Sequence, residues 1–268
     1  MSRLTTRVDE ISSAGGKALV AYLVAGDPVK EITVKLMHAM VKAGVDIIEL
    51  GMPFTDPEAE GPVIQLAHER ALKVGMSLGD CLSMVADFRE TDNETPVILM
   101  GYVNPIERMG YDQFAARAAG SGVDGTIIVN LPPEESADLL LSYESHDIDS
   151  VYLLAPTTTD DRARFVTSRS TGFVYYVSLK GTTGASNLDL NDIEAKLCRF
   201  KVISPLPIFV GFGIKDASTA EAVGKISDGV VVGSAIVDLM SKHQADQGEM
   251  INTISALLAG MRKRLDAI

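Results

Sequence analysis

A chain of 268 residues with 46% hydrophobic residues carries enough apolar material for one large core. Its formal net charge of −12 argues against nucleic-acid binding and against a polybasic membrane contact, both of which need clustered Lys and Arg. Small anionic substrates stay open, because they respond to local charge.

The N-terminal segment lacks the features of a signal peptide, and no apolar stretch approaches the roughly 20 residues of a membrane-spanning helix. A cytoplasmic, reducing location is expected. Cys81 and Cys198 lie outside any metal-ligand spacing and are expected as small buried hydrophobes. His38, His68, His146 and His243 show no paired spacing, so neither a metal site nor a histidine-based triad is expected.

In chain order, a helix is expected over residues 2–14, followed by an apolar run at 18–24. Gly26-Asp27-Pro28 suits a helix start, with Asp27 as N-cap and Pro28 as first helical residue. Further apolar runs lie at 45–50, 96–102, 125–131, 150–155, 174–179, 207–212 and 229–233. Their near-continuous Val, Ile and Leu content fits parallel strands buried on both faces. Helix starts are expected at Pro132-Pro133-Glu134-Glu135, Thr159-Asp160-Asp161 and Lys215-Asp216, and a last helix over 247–268. Eight strands separated by helical sequence predict one (β/α)8 TIM barrel over residues 1–268, with extra N-terminal and C-terminal helices. An open doubly wound sheet is the alternative, but no dinucleotide fingerprint follows the first strand. The helix at 2–14 is placed as a plug for the bottom of the barrel.

Barrel active sites gather at the carboxyl ends of the strands. The second strand delivers Glu49 there, on a face shared with Ile47 and Val45. Burial among apolar residues raises a carboxyl pKa toward useful acid/base range; a strand-end acid tied to a loop amide is the plainer alternative. The following loop, 51–62, is long, proline-stiffened and acidic, which suits substrate handling or partner contact. Glycines follow the last three strands: Gly181, Gly184, Gly211, Gly213 and Gly233, the last with Ser234 beside it. Backbone N–H groups there can approach an anion, so Gly184, Gly213, Gly233 and Ser234 are expected to cradle a phosphate. Tyr22, Met100, Tyr102, Ile127, Leu153, Tyr175 and Phe212 offer a lining suited to a flat apolar group.

The segment Glu49-Leu50-Gly51-Met52-Pro53-Phe54-Thr55-Asp56-Pro57, with Ala59-Glu60-Gly61-Pro62 and Ile64-Gln65, resembles the tryptophan synthase alpha subunit family. Leu131-Pro132-Pro133-Glu134-Glu135, Gly181-Thr182-Thr183-Gly184-Ala185, Gly211-Phe212-Gly213-Ile214 and Gly233-Ser234-Ala235-Ile236-Val237 extend the resemblance over nearly the whole chain. It implies retro-aldol cleavage of indole-3-glycerol phosphate to indole and glyceraldehyde 3-phosphate. It also implies an αββα assembly with a beta subunit that holds pyridoxal phosphate, this chain itself carrying no cofactor. By resemblance Glu49 is the principal acid/base and Glu60 receives the indole N–H. The 53–60 loop would meet the beta subunit, and Thr183 would sit on a closing lid. The family pattern has Asp at position 60, an apolar residue at 58 and Asp at 130, where this chain has Glu60, Glu58 and Asn130. The expectation is that Glu60 still serves, with the loop backbone drawn back for its extra methylene. Two other classes fit less well: a non-catalytic ligand-binding activator subunit, and a related phosphate-binding barrel isomerase.

Overall fold

The architecture comes from a computed structural model, which describes residues 2–178, 190–211 and 213–268. The strands are β1 Ala18–Val24, β2 Ile47–Gly51, β3 Val97–Gly101, β4 Gly125–Ile128, β5 Asp149–Ser150, β6 Leu153–Leu154, β7 Val174–Val177, β8 Ile208–Gly211 and β9 Gly229–Val232. All pair in parallel, in the order β5-β4-β3-β2-β1-β9-β8-β7-β6.

The two ends of that order are halves of one stretch of chain. Between β5 and β6, the Val151 N–H donates to the Thr126 carbonyl at 2.9 Å, and the Tyr152 carbonyl accepts from the Tyr175 N–H at 3.1 Å. The sheet therefore closes on itself as a (β/α)8 TIM barrel. The fifth expected strand is broken because its first half pairs with β4 and its second half with β7. Apart from Leu153 and Val177, every strand residue is buried, as a parallel sheet clad in helices requires.

The helices are α1 Arg3–Ser13, α2 Thr33–Lys42, α3 Pro62–Lys73, α4 Leu78–Arg89, α5 Val103–Met109 and α6 Tyr111–Ser121. They continue as α7 Ala137–Glu144, α8 Asp160–Thr167, α9 Leu190–Ile203, α10 Ala217–Gly224, α11 Ser234–Lys242 and α12 Gln247–Leu265. Thr159 and Asp216 cap α8 and α10 as expected, each accepting a backbone N–H in the first turn. Two expected starts fail. Asp27 is not an N-cap: its buried carboxylate is taken by Arg70, at 2.6 and 2.8 Å, and α2 begins only at Thr33. At 132–135 the chain makes a turn, with the Glu135 N–H on the Pro132 carbonyl at 3.0 Å, and α7 begins at Ala137. Cys81 is buried in α4 as expected, whereas Cys198 is exposed on α9, on the face turned away from Leu197 and Phe200.

The lower face of the barrel is closed by carboxylates that precede strands. Asp46 accepts the Leu19 N–H at 2.8 Å, Asp124 the Val97 N–H at 2.8 Å, and a side-chain oxygen of Asp228 the Ile208 N–H at 2.9 Å. Each thus satisfies an amide at the start of a neighbouring strand. Arg7 and Arg262 both meet Asp46, at 2.7 and 3.0 Å, while Arg3 and Arg89 meet Asp124, at 2.9 and 2.7 Å. With Leu4 and Val8 buried, α1 plugs this face, and the upper face is left for chemistry.

Candidate active site

Parallel register sets which side chains share the lumen. Tyr22 is level with Glu49, Glu49 with Ile98, and Gly51 with Met100, which is level with Ile127. Across the barrel Leu153 is level with Tyr175, and Tyr175 with Phe209. Because side chains alternate along a strand, Tyr22, Glu49, Met100, Ile127, Leu153 and Tyr175 all project inward. Two glycines make room for the large rings. A Cβ on Gly51 would lie 2.5 Å from the Tyr22 hydroxyl, and one on Gly211 would collide with the Tyr175 hydroxyl.

Glu49 is only 1% exposed, and its Oε2 has no hydrogen-bond partner among the described residues. The loop-amide alternative for this acid is therefore not realised at that oxygen. Burial, and secondarily repulsion from Glu60, push its pKa up to about 8. Glu60, 8% exposed, is raised by burial to about 7. Both carboxyls are thus held protonatable near neutrality.

The loop carrying Glu60 is held on its inner side. The Phe54 ring stacks on Tyr102 with centroids 4.7 Å apart, and the Tyr102 hydroxyl accepts the Ala59 N–H at 3.1 Å. Gln65, in the first turn of α3, donates to the Glu60 carbonyl at 2.9 Å. One turn further on, the buried ring of His68 accepts the Phe54 N–H on Nδ1 at 3.1 Å and places Nε2 3.3 Å from the Tyr22 hydroxyl. Thr55, Asp56 and Glu58 face outward and are exposed. Asn130 is also exposed: its side-chain oxygen accepts the Val103 N–H at 2.8 Å, capping α5 from outside.

On the opposite rim, α11 begins at Ser234, directly after Gly233, whose carbonyl accepts the N–H groups of Ile236 and Val237. Ser234 is exposed, and among the described residues no side chain caps the start of this helix, a helix N-terminus of the kind that receives an anion. Gly213 has φ +77°, a left-handed conformation that favours glycine. The Tyr22 ring lies 3.4 Å from where a Gly233 Cβ would stand, so Tyr22 stands between the carboxylate pair and this rim. Gly184, Thr183 and Phe212 lie outside the described residues. Among the described residues no cluster of His, Cys, Asp and Glu has metal-binding geometry.

Sequence reasoning missed His68 and Gly51. A single histidine inside an amphipathic helix carries no local sign of what it touches, but Gly51, two residues after Glu49 on the same strand, could have been read as space kept clear on the catalytic face.

A closed (β/α)8 barrel with two buried, protonatable carboxyls at the carboxyl ends of its strands defines an acid–base barrel enzyme. The family model for the tryptophan synthase alpha chain matches residues 8–266. The tryptophan synthase alpha chain of Marinobacter nauticus is 51% identical over 268 residues, 100% of this chain and 99% of that protein. That of Thioalkalivibrio sulfidiphilus is 52% identical over 266 residues, 99% of this chain and 100% of its own. The crystal structure of tryptophan synthase subunit alpha from Legionella pneumophila superposes with a TM-score of 0.93 at 44% identity, covering 100% of both chains. The chain belongs to the tryptophan synthase alpha chain family, lyases that cleave indole-3-glycerol phosphate in tryptophan biosynthesis. The family is one that does not carry pyridoxal phosphate itself and that pairs with a beta subunit. No helix among the described residues is long and apolar enough to cross a membrane.

Proposed function

We infer that this chain performs the retro-aldol cleavage with Glu49 and Glu60 as its catalytic residues. The observation that carries the assignment is the pair of buried carboxyls, held protonatable near neutrality on the lumen face of β2 and on the loop behind it. Glu49, protonated, gives its proton to C3 of the indole ring. The Glu60 carboxylate accepts the ring N–H and so supports the positive charge the ring gains. The bond from C3 to the adjacent glycerol carbon then breaks, and its electrons return to the ring to restore indole. The hydroxyl on that glycerol carbon loses its proton to the ionised Glu49 as the aldehyde forms. Glu49 ends as it began.

The substrate phosphate sits at the N–H groups before α11, held by Gly233, Ser234 and Gly213. Tyr22, Met100, Tyr102, Ile127, Leu153 and Tyr175 enclose the indole. The reaction needs no cofactor in this chain; pyridoxal phosphate belongs to the beta subunit, which docks on the exposed side of the 53–60 loop in an αββα assembly. The chain works in the cytoplasm as a single domain.

Indole release from indole-3-glycerol phosphate by the purified chain, with and without a beta subunit, tests the assignment. Glu49→Gln should abolish release. Glu60→Ala should lose most of it, and Glu60→Asp should keep more than Glu60→Ala. Full activity in Glu49→Gln removes the acid/base role, and full activity in Glu60→Ala removes that of Glu60. The activator reading would require that the native chain release no indole, whereas release that is lost in Glu49→Gln favours the lyase.

A further inference from the structure

His68 is buried on α3, yet its polar atoms are spent on two groups of the active site rather than on the core. Nδ1 accepts the Phe54 N–H at 3.1 Å. A ring nitrogen that accepts an N–H carries no proton, so the imidazole is neutral and its hydrogen is on Nε2. Nε2 faces the Tyr22 hydroxyl at 3.3 Å and therefore donates to it. Burial lowers the His68 pKa to about 4, in keeping with that protonation state.

With its oxygen engaged as acceptor, the Tyr22 hydroxyl must turn its own hydrogen elsewhere. The oxygen lies against the empty Cβ position of Gly51, one inward-facing position above Glu49, and the ring lies against Gly233. The ring thus flanks the rim before α11 at its base and carries its hydroxyl to β2, the strand of Glu49. Left free, a tyrosine hydroxyl rotates and can present either lone pair or hydrogen.

We propose that His68 is a positioning residue for the cleavage, its Nε2–H fixed by the Phe54 amide so that the Tyr22 hydroxyl is held as a hydrogen-bond donor toward the glycerol portion of the substrate. The arrangement is a relay of orientation: loop amide, imidazole, phenol, substrate oxygen. It is preorganised, since each member is buried or anchored before substrate arrives. The proposal rests on the acid–base assignment of Glu49 and Glu60, and Glu49→Gln tests that assignment separately.

The test is a two-by-two cycle of His68→Asn and Tyr22→Phe, read as kcat for indole release and accompanied by thermal melting. Asn keeps an acceptor near the Nδ1 position for the Phe54 amide but is too short to reach Tyr22. His68→Asn alone should lower kcat about tenfold, the worth of one oriented hydrogen bond. In the Tyr22→Phe background the same substitution should leave kcat unchanged, because the group it orients is gone. An unchanged kcat in the single variant overturns the proposal, as does an equal loss in both backgrounds. Should His68→Asn fail to fold, His68→Gln enters the same cycle. Gln reaches Tyr22 with a freely rotating amide, and the same dependence of its effect on Tyr22 is required.

Discussion

Replacing Glu49 by Gln should destroy activity and yet make the protein more stable, increasingly so as pH rises. Burial raises the carboxyl from 4.5 to about 8, so the folded state binds its proton more tightly than the unfolded chain does. For a group shifted upward, the stabilising contribution is complete below the unfolded value and is lost as pH climbs through the folded one. Each pH unit inside that window removes about 1.4 kcal/mol. The native protein therefore loses on the order of 5 kcal/mol from this group across the window. Gln has nearly the same shape, never ionises and escapes the loss. Urea unfolding of both proteins at about pH 5 and about pH 8, with equal m-values, gives the difference directly. The gap in unfolding free energy should widen by roughly 3 to 4 kcal/mol in favour of the variant. Glu60 titrates in both proteins and drops out of the comparison. A gap that stays constant with pH, or a variant less stable than the native protein at the higher pH, would refute the claim that burial holds Glu49 protonated.

The same proton sets the pH profile: kcat for indole release should fall as pH rises above about 8, where Glu49 loses its proton, and stopped assays across that range will show it. Asp27→Ala leaves Arg70, now bonded to it at 2.6 and 2.8 Å, without its counter-charge in a half-buried site. Urea unfolding should register a loss of about 3 kcal/mol, whereas Asp27→Asn should lose less by keeping one acceptor. Gly211→Ala sets a methyl group against the Tyr175 hydroxyl, and overpacking of this kind costs about 1–3 kcal/mol. Its melting temperature and its affinity for indole analogues should fall together, since the ring that is overpacked is also a wall of the indole pocket.

The strands were legible because a parallel barrel buries both faces, and unbroken runs of Val, Ile and Leu are the direct consequence. Glu49 stood out for the same reason, as the one acid at the inner end of such a run. Capping chemistry was legible where it is local: Thr159 and Asp216 accept amides of their own helices. It misled at Asp27, whose neighbours suit a cap but whose carboxylate is claimed by Arg70 from another helix, 43 residues away. The break in the fifth strand was invisible because it reflects a change of pairing partner, which is a property of barrel closure. His68 was invisible for a related reason: its meaning lies in Tyr22 and Phe54, 46 and 14 residues away. Local pattern reports what a residue does for its own element, and says little of what it does for another.

Asp46 joins α1 to α12, since Arg7 and Arg262 both bond to its carboxylate. The second of these contacts spans 216 residues. As the chain leaves the ribosome, β2 and its acid emerge early, with Arg7 already made, and wait for a second counter-ion made almost last. Contacts of such long sequence separation close late, because the loop between them must first be ordered. The lower face of the barrel therefore cannot be completed until α12 has been made. Any prefix that ends before α12 leaves the lower ring of carboxylates one cation short, with the α2 surface that α12 covers left open. A ribosome stalled ahead of residue 247 should hold a chain that proteases still cut, and one stalled on a C-terminal extension long enough to bring residue 265 clear of the exit tunnel a chain that resists them.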